Sequence, residues 1–422
     1  VSVASPVTGR VQRPRSGAFI LTNLSIGHGI THWYNQSLLV ILPYIQDSLE
    51  LSNVQFAALG AIQRISSGVA NVPTGFIIDM AKNQWGLILT ACMVLSAITF
   101  SLVAFAPSYA FLAVVMVFIA LPGTVWHMPA IASIAQRFPE RRGFALSIHG
   151  IGGNVGNIIG PLIAGALLGF MAWQRVTFLY AFPAMVMAVV VWWSLKDIGT
   201  SGVAPNEKKA LTARISDAGN LLRNRTILSL ILVTMVRNMG FNALFVWVPV
   251  YLKDPVGEGG LGMSAFMVGL HVALLTGLGV LSATPLGILS DRFGRKAVLM
   301  PGLAITALLA LAMGKAGDGA LLTLVILAIG LFTYALGQIL QATLLDHINR
   351  GTEGAAMGLI MGINSALAAF SPIGAALIVD GYGLGSVFYY TAALISASTV
   401  FLFLTPLRRV VPNTARTKVA AG

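Results

Sequence analysis

Gly287–Lys296 reads GILSDRFGRK and lies where a long apolar run meets a cluster of cations. On a helix, Gly287 and Asp291 fall one turn apart on one face. A neighbouring backbone can then approach the glycine while the carboxylate accepts hydrogen bonds. Arg292, Gly294, Arg295 and Lys296 complete the turn and face the cytoplasm in the expected topology. The stretch reads as a charged hinge between two membrane helices.

The rest of the chain has the composition such a hinge requires. Of its 422 residues, 56% are hydrophobic and 9% are charged, a balance foreign to soluble domains. Apolar runs of roughly 20 residues recur, the length a helix needs to cross about 30 Å of hydrocarbon. The single cysteine, Cys92, lies inside one of them. It can form no intramolecular disulfide and reads as a small packing residue.

Arg10, Arg13 and Arg15 precede a first apolar run from about Gly17 to Ile45, which is too long for a signal peptide and carries no cleavage site. Polar breaks follow near Ser52, Lys82, Ser108, Arg141, Gln174, Lys196, Arg225, Lys253, Arg292, Lys315, Arg350 and Gly383. They divide the chain into twelve expected spans. With the amino terminus inside, 21 of the 26 Lys and Arg residues fall on the cytoplasmic side, and only Arg175, Lys253 and Lys315 fall outside. That bias places both termini and the central loop in the cytoplasm and the protein in the plasma (inner) membrane. The net charge of +12 therefore reads as an orientation signal and an attraction to anionic membrane lipids, with no nucleic-acid partner implied.

A polar linker containing EKKALTARISD separates two six-span halves that echo each other. Gly75–Asp79 (GFIID) returns as Gly287–Asp291 (GILSD), 212 residues later. Gly160 and Pro161 return as Ser371 and Pro372 at an offset of 211. The expected organisation is a cytoplasmic tail (1–16), a six-helix bundle (17–196), a cytoplasmic linker (197–225), a second six-helix bundle (226–407) and a basic tail (408–422).

GILSDRFGRK resembles the signature loop of the major facilitator superfamily, GxLxDRxGRK, with every defining position filled. The likeness runs over about 390 residues. It implies an all-α membrane protein of twelve transmembrane helices in two bundles related by pseudo-twofold symmetry. It also implies alternating access to a substrate site near the bilayer midplane, and a monomer. The first-half loop, GFIIDMAKNQWG, keeps Gly75, Asp79 and Lys82 but lacks the DRxGRK pattern. The inner gate is thus expected to rest on Gly287, Asp291, Arg292, Gly294 and Arg295, with Asp79 as the weaker copy. In the fifth span GNIIGPLIAG (Gly156, Gly160, Pro161, Gly165) is similar to the glycine and proline pattern of antiporters in the superfamily, and its physical content is close packing and a bend. The run Gly123–Gly165 resembles the fourth and fifth spans of fosmidomycin-resistance-type exporters and related organic-anion carriers, through His127, Pro129, Arg141–Gly143 and Gly152–Asn154. It departs from them at Met128, and in the first span, where histidines replace an expected acidic residue.

Buried ions are costly, so those inside the spans point to function or pairing. All 14 acidic residues can be placed in loops or at span ends, whereas Arg64 and Arg237 fall about twelve residues into the second and seventh spans. The two arginines are expected to clamp an anionic cargo from opposite halves. Charged and histidine-bearing spans are the first, second, fourth, fifth, seventh and eighth; the third, sixth, ninth and twelfth, peripheral in the family fold, carry none. Asn35, Gln36, Asn154, Asn157, Asn238, Asn242, Gln338, Gln341 and Asn364 extend a polar path.

His28 and His32 share a helix face, and His127, His149 and His271 lie in other spans. The expected substrate-binding set is Arg64, Arg237, His28, His32, Asn35, His127, Asn238, Asn242, Gln338 and Gln341. The expected proton-coupling residues are His28, His32, His127 and His149. For each, a helix-to-helix hydrogen bond is the alternative. Spread over separate spans without cysteine or carboxylate, the histidines suggest no metal. Trp33, Tyr34, Trp126, Trp247 and Tyr251 are expected at the cavity wall or as interface anchors.

No GxxxxGK[ST], HExxH or paired cavity acids are present, so no enzyme and no cofactor is expected, and a gradient must drive transport. The function expected is secondary transport of a small anion (organic carboxylate, phosphonate or inorganic oxyanion) by exchange or proton coupling. A proton-driven multidrug exporter is the alternative, favoured by fifteen methionines but opposed by the missing buried carboxylate. A non-transporting sensor is the third.

Overall fold

A computed structural model describes residues 16–196, 198, 224–348 and 353–407. The expected tails and nearly all of the linker lie outside the described residues, as do the side chains of Gly75, Asp79 and Lys82. The first six helices are α1 (Gly17–Ser48), α2 (Asn53–Met80), α3 (Trp85–Ala104), α4 (Tyr109–Arg137), α5 (Arg142–Leu168) and α6 (Trp173–Leu195). The second half contains α7 (Arg225–Lys253), α8 (Ala265–Gly277), α9 (Gly279–Phe293), α10 (Arg295–Met313), α11 (Ala320–Leu345), α12 (Glu353–Ala368), α13 (Ser371–Tyr382) and α14 (Ser386–Leu404). Because α8 and α9 form one span, as do α12 and α13, the described helices make the twelve expected passes.

Helix starts follow from side chains that accept orphan backbone N–H groups. Ser16, Ser108 and Ser264 accept from Phe19, Phe111 and Met267, and Asn224 accepts from Thr226 and Ile227. Ten of the spans are long and apolar enough to cross a membrane. The other two, α1 and α2, have 32 and 28 residues, long enough by the 1.5 Å rise per residue. Their polar residues lower their hydropathy, and they are the two helices that contribute most of the cavity described below.

The repeat read from sequence reappears as matched helix pairing. In the first half α1 packs on α5, α2 on α4 and α3 on α6; in the second, α7 packs on α12 and α13, α9 on α11 and α10 on α14. Between halves, α5 packs on α8, α2 on α12 and α13, and α1 on α7, pairings that exchange into one another under a twofold. The repeated proline has a different local effect in each half. Pro161 sits inside continuous α5, whereas Pro372 opens α13 after a break. Asn242, expected to touch substrate, instead donates from Nδ2 to the Ala368 carbonyl at that break, 3.3 Å away. The break leaves the last carbonyls of α12 without helical partners, and Asn242 takes one of them.

Glycine sets the spacing of α1 and α5. A Cβ at Gly156 would lie 2.0 Å from the Gly29 carbonyl oxygen, and one at Gly152 would lie 2.1 Å from that of Ser25. Backbone meets backbone here, so the fifth-span pattern serves packing.

The two halves are joined at one end. Lys253 Nζ donates to Asp47 Oδ2 at 2.5 Å, and Asn53 Nδ2 donates to Asp380 Oδ1 at 2.6 Å. Nearer the middle, Thr276 donates to the Asn157 carbonyl. At the opposite end, among the described residues, the bonds of the GILSDRFGRK hinge stay within the second half. Arg295 donates to Asp291, to Ser290 Oγ at 2.7 Å and to Asp346 Oδ2 at 3.0 Å, and Lys296 donates to the Phe403 and Thr405 carbonyls. Gly294, at φ 100°, makes the tight α9–α10 joint that glycine alone adopts freely. Among the described residues, nothing lies within 4 Å of a Cβ added at Gly287, where a neighbouring backbone was expected. The described contacts therefore latch the two halves at the Asp47 end.

Asp47→Asn should weaken that latch. The Asp47 side chain is 62% exposed and that of Lys253 11%, and a pair this open contributes about 0.2–1 kcal/mol, a population change of up to about fivefold. The modification rate of a cysteine at Leu42, measured from the Asp47 side, should rise by that factor. An unchanged rate would show the pair to be idle.

Candidate substrate cavity and histidine cluster

A cavity of about 450 Å³ opens between α1, α2 and α4, with Val246 of α7 as its contribution from the second half. Its polar wall is a stripe along α2: Gln63, Arg64, Ser67 and Asn71 recur at helical spacing and share one face. Opposite stand His32, Asn35 and Gln36 of α1 and Thr124 and His127 of α4. Leu38, Leu39, Leu42, Phe56, Met128 and Val246 make the apolar part.

Most polar groups in the wall are held by neighbours. Gln63 Nε2 donates to Asn35 Oδ1 at 3.0 Å, Asn35 Nδ2 donates to the Thr31 carbonyl at 3.1 Å, and the Ser67 and Thr124 hydroxyls are 2.6 Å apart. Arg64 differs. Its half-buried side chain lines the cavity, and among the described residues it has no hydrogen bond and no carboxylate partner.

Arg237 is not among the lining residues. It is 6% exposed and already engaged: it donates to Asn238 Oδ1 at 2.9 Å and to the Thr333 carbonyl, and lies 4.5 Å from the centre of the Phe241 ring. The expected clamp thus has one jaw here. The α7 sequence places Arg237 in the membrane interior, but packing on α11 gives it protein partners in place of open space. Arg237→Gln should accordingly lower thermal stability, because losing a buried charged donor costs about 1–3 kcal/mol, while ligand binding survives. Differential scanning fluorimetry with and without ligand separates the two effects.

Other expectations are corrected in the same way. Asn238 accepts from Arg237, and neither Asn238, Gln338 nor Gln341 lines the cavity. His271 bridges helices through Thr323 Oγ1 at 3.0 Å and the Met267 carbonyl. The cavity's aromatic residue is Phe56. Trp126, Trp247, Tyr34 and Tyr251 are buried in the core, and Trp33 lies off the wall. Gln63, Ser67, Asn71 and Thr124 were not singled out from sequence, although the α2 polar stripe around Arg64 was a readable signal for three of them.

The histidines are not scattered. His28 and His32 meet edge-on with ring centres 4.6 Å apart, His28 and His127 are 4.8 Å apart, and His149 stacks on His28 at 4.2 Å. His28 Nε2 faces His127 Nε2 at 3.1 Å. Three of the four imidazoles are tied back through Nδ1: His28 to the His149 carbonyl at 2.8 Å, His32 to Asn157 Oδ1 at 2.8 Å, and His127 to the Gly123 carbonyl at 2.5 Å. His149 is 3% exposed and neither of its ring nitrogens has a partner among the described residues. The α1–α5 glycine contact brings the cluster together, since a Cβ at Gly153 would lie 2.7 Å from His28 Cε1.

Two pseudo-symmetric helical bundles around a half-polar membrane cavity define a secondary transporter. The family model for the Major Facilitator Superfamily matches residues 24–260 and 257–421, and the chain belongs to that family. It is 24% identical over 318 residues to the multidrug resistance protein MdtG of Proteus mirabilis, covering 71% of this chain and 77% of that protein. It is also 24% identical to the MFS-type transporter YfnC of Bacillus subtilis, covering 91% and 92%. Among solved structures, a bacterial homologue of the human lysosomal transporter Spinster, inward-facing and occupied, superposes with a TM-score of 0.77 at 16% identity, covering 94% of this chain and 98% of that one. The nucleoside transporter NupG gives 0.72 at 16% identity, covering 92% and 98%. These likenesses establish the fold and a multi-pass membrane transporter, not an enzyme.

Proposed function

We propose that this transporter carries a small anion, a carboxylate, phosphonate or inorganic oxyanion, and that Arg64 is its anchor. The observation that carries this reading is a cavity-facing guanidinium with no partner among the described residues, on the polar side of a cavity whose other polar groups are amides, hydroxyls and imidazoles. A guanidinium fork pairs two carboxylate or phosphonate oxygens at once. Closing the empty cavity would strand a bare cation in low dielectric, whereas closing it around an anion would not. That asymmetry favours exchange of one anion for another. The Lys and Arg bias favours cytoplasmic termini, in which case the cavity's latched end faces outward.

A second reading, export of lipophilic compounds, draws on the multidrug resistance name of the MdtG relatives and on the apolar wall from Leu38 to Val246. A thermal-shift screen of the purified protein separates the two readings, because a ligand that binds the folded state raises apparent stability by mass action. Small anions should stabilise the wild type and lose their effect in Arg64→Gln. Stabilisation by lipophilic cations, retained in that variant, would overturn the anion reading.

A further inference from the structure

His28, His32 and His127 present a donor set that cargo binding by Arg64 does not use. A carbonyl oxygen has no proton to give, so the Nδ1 atoms of His28 and His127, bonded to the carbonyls of His149 and Gly123, must each carry one. A neutral imidazole protonated at Nδ1 keeps a lone pair at Nε2. The two Nε2 atoms are 3.1 Å apart, so two lone pairs point at one small gap. Only a cation placed between them relieves that opposition. His32 adds a third donor: with Nδ1 held by Asn157, its Nε2 is left free, and one ligand atom from each of the three residues lies within 4.8 Å of the others.

We propose that His28, His32 and His127 bind a divalent transition metal of the zinc, cobalt or nickel class. Bonds of about 2.0–2.1 Å at tetrahedral angles separate nitrogen donors by about 3.3 Å, close to the His28–His127 spacing, and His32 offers its donor within 4.8 Å of both. The backing oxygens on all three Nδ1 atoms fix tautomer and ring direction, which is the work of outer-shell groups in metal sites. Three neutral nitrogens suit these metals, whereas magnesium and calcium require oxygen donors. His32 and His127 line the same cavity as Arg64, so a fourth ligand from that cavity can reach an ion they hold. Three imidazoles leave the ion its full double charge in a cavity that also holds a guanidinium, with no carboxylate in the cluster among the described residues. An oxygen of the anionic cargo is the complement at that position, and for this fourth ligand alone the inference rests on the anion reading above.

The test is titration of the purified full-length protein in detergent with cobalt(II), followed by its visible ligand-field bands and by equilibrium dialysis. One ion per chain should bind, and affinity should fall at least about tenfold in His127→Ala and in Asn157→Ala, which frees His32. His32→Ala, on the cavity wall, provides a ligand variant that does not open the buried core around His28. His271→Ala should bind as the wild type does. Absence of stoichiometric cobalt, or equal binding in the His32, His127 and wild-type proteins, would overturn the metal site and leave a shared proton between the two Nε2 atoms. Adding methylphosphonate should change the cobalt spectrum of the wild type but not that of Arg64→Gln. A bound cobalt whose spectrum ignores the anion in both proteins would overturn the anion as fourth ligand while the metal site stands.

Discussion

Arg64→Gln should reduce anion affinity and transport at least about 30-fold while leaving expression and thermal stability intact. The factor corresponds to about 2 kcal/mol, the lower bound when one partner of a desolvated, hydrogen-bonded charge pair is removed. In the unloaded protein the guanidinium makes no hydrogen bond among the described residues, so its loss leaves no orphaned partner and removes a poorly solvated cation. Arg64→Lys should fall between, keeping the charge but losing the planar fork. Arg237→Gln provides the contrast, because that side chain is bonded on two sides and its removal strips Thr333 and Asn238 of a donor. Binding measured by thermal shift or isotope uptake decides the matter: wild-type affinity in Arg64→Gln would remove the reason to assign a negative cargo.

Gly156→Ala should destabilise the protein by about 1–3 kcal/mol, the usual cost of overpacking, and disturb the histidine cluster with it. The new methyl group would lie 2.0 Å from the Gly29 carbonyl oxygen and 3.0 Å from His32 Cβ, and neither can retreat without moving α1. Gly150→Ala, on the same helix, meets nothing within 4 Å. It should be neutral or stabilising by up to about 1 kcal/mol, since alanine is the better helix former. Melting curves of the two variants in one detergent form the comparison. Equal melting temperatures would show that α1 and α5 do not depend on that contact.

Much of the architecture was legible because hydropathy and polar punctuation act locally. The twelve passes and the repeat linking Gly75 and Gly160 to Gly287 and Ser371 come from spacing along the chain. The site was less legible. Arg64, His32, Asn35 and His127 were found as polar residues deep in apolar spans, and all four line the cavity. Arg237 and Asn242 carried the same signal but serve protein partners. A polar side chain in a membrane span announces that it needs a partner; whether that partner is protein or ligand depends on which helix lies opposite.

The chain alone determined a membrane protein of two repeated bundles, because free energies of transfer into hydrocarbon are set residue by residue over one span. Tertiary structure decided which polar faces share a cavity, that Lys253 of the second half meets Asp47 of the first, and that histidines 99 residues apart meet at 3.1 Å. That last contact depends on glycines of α1 and α5 letting two backbones touch, and a constraint between distant helix faces has no local signature from which to read it.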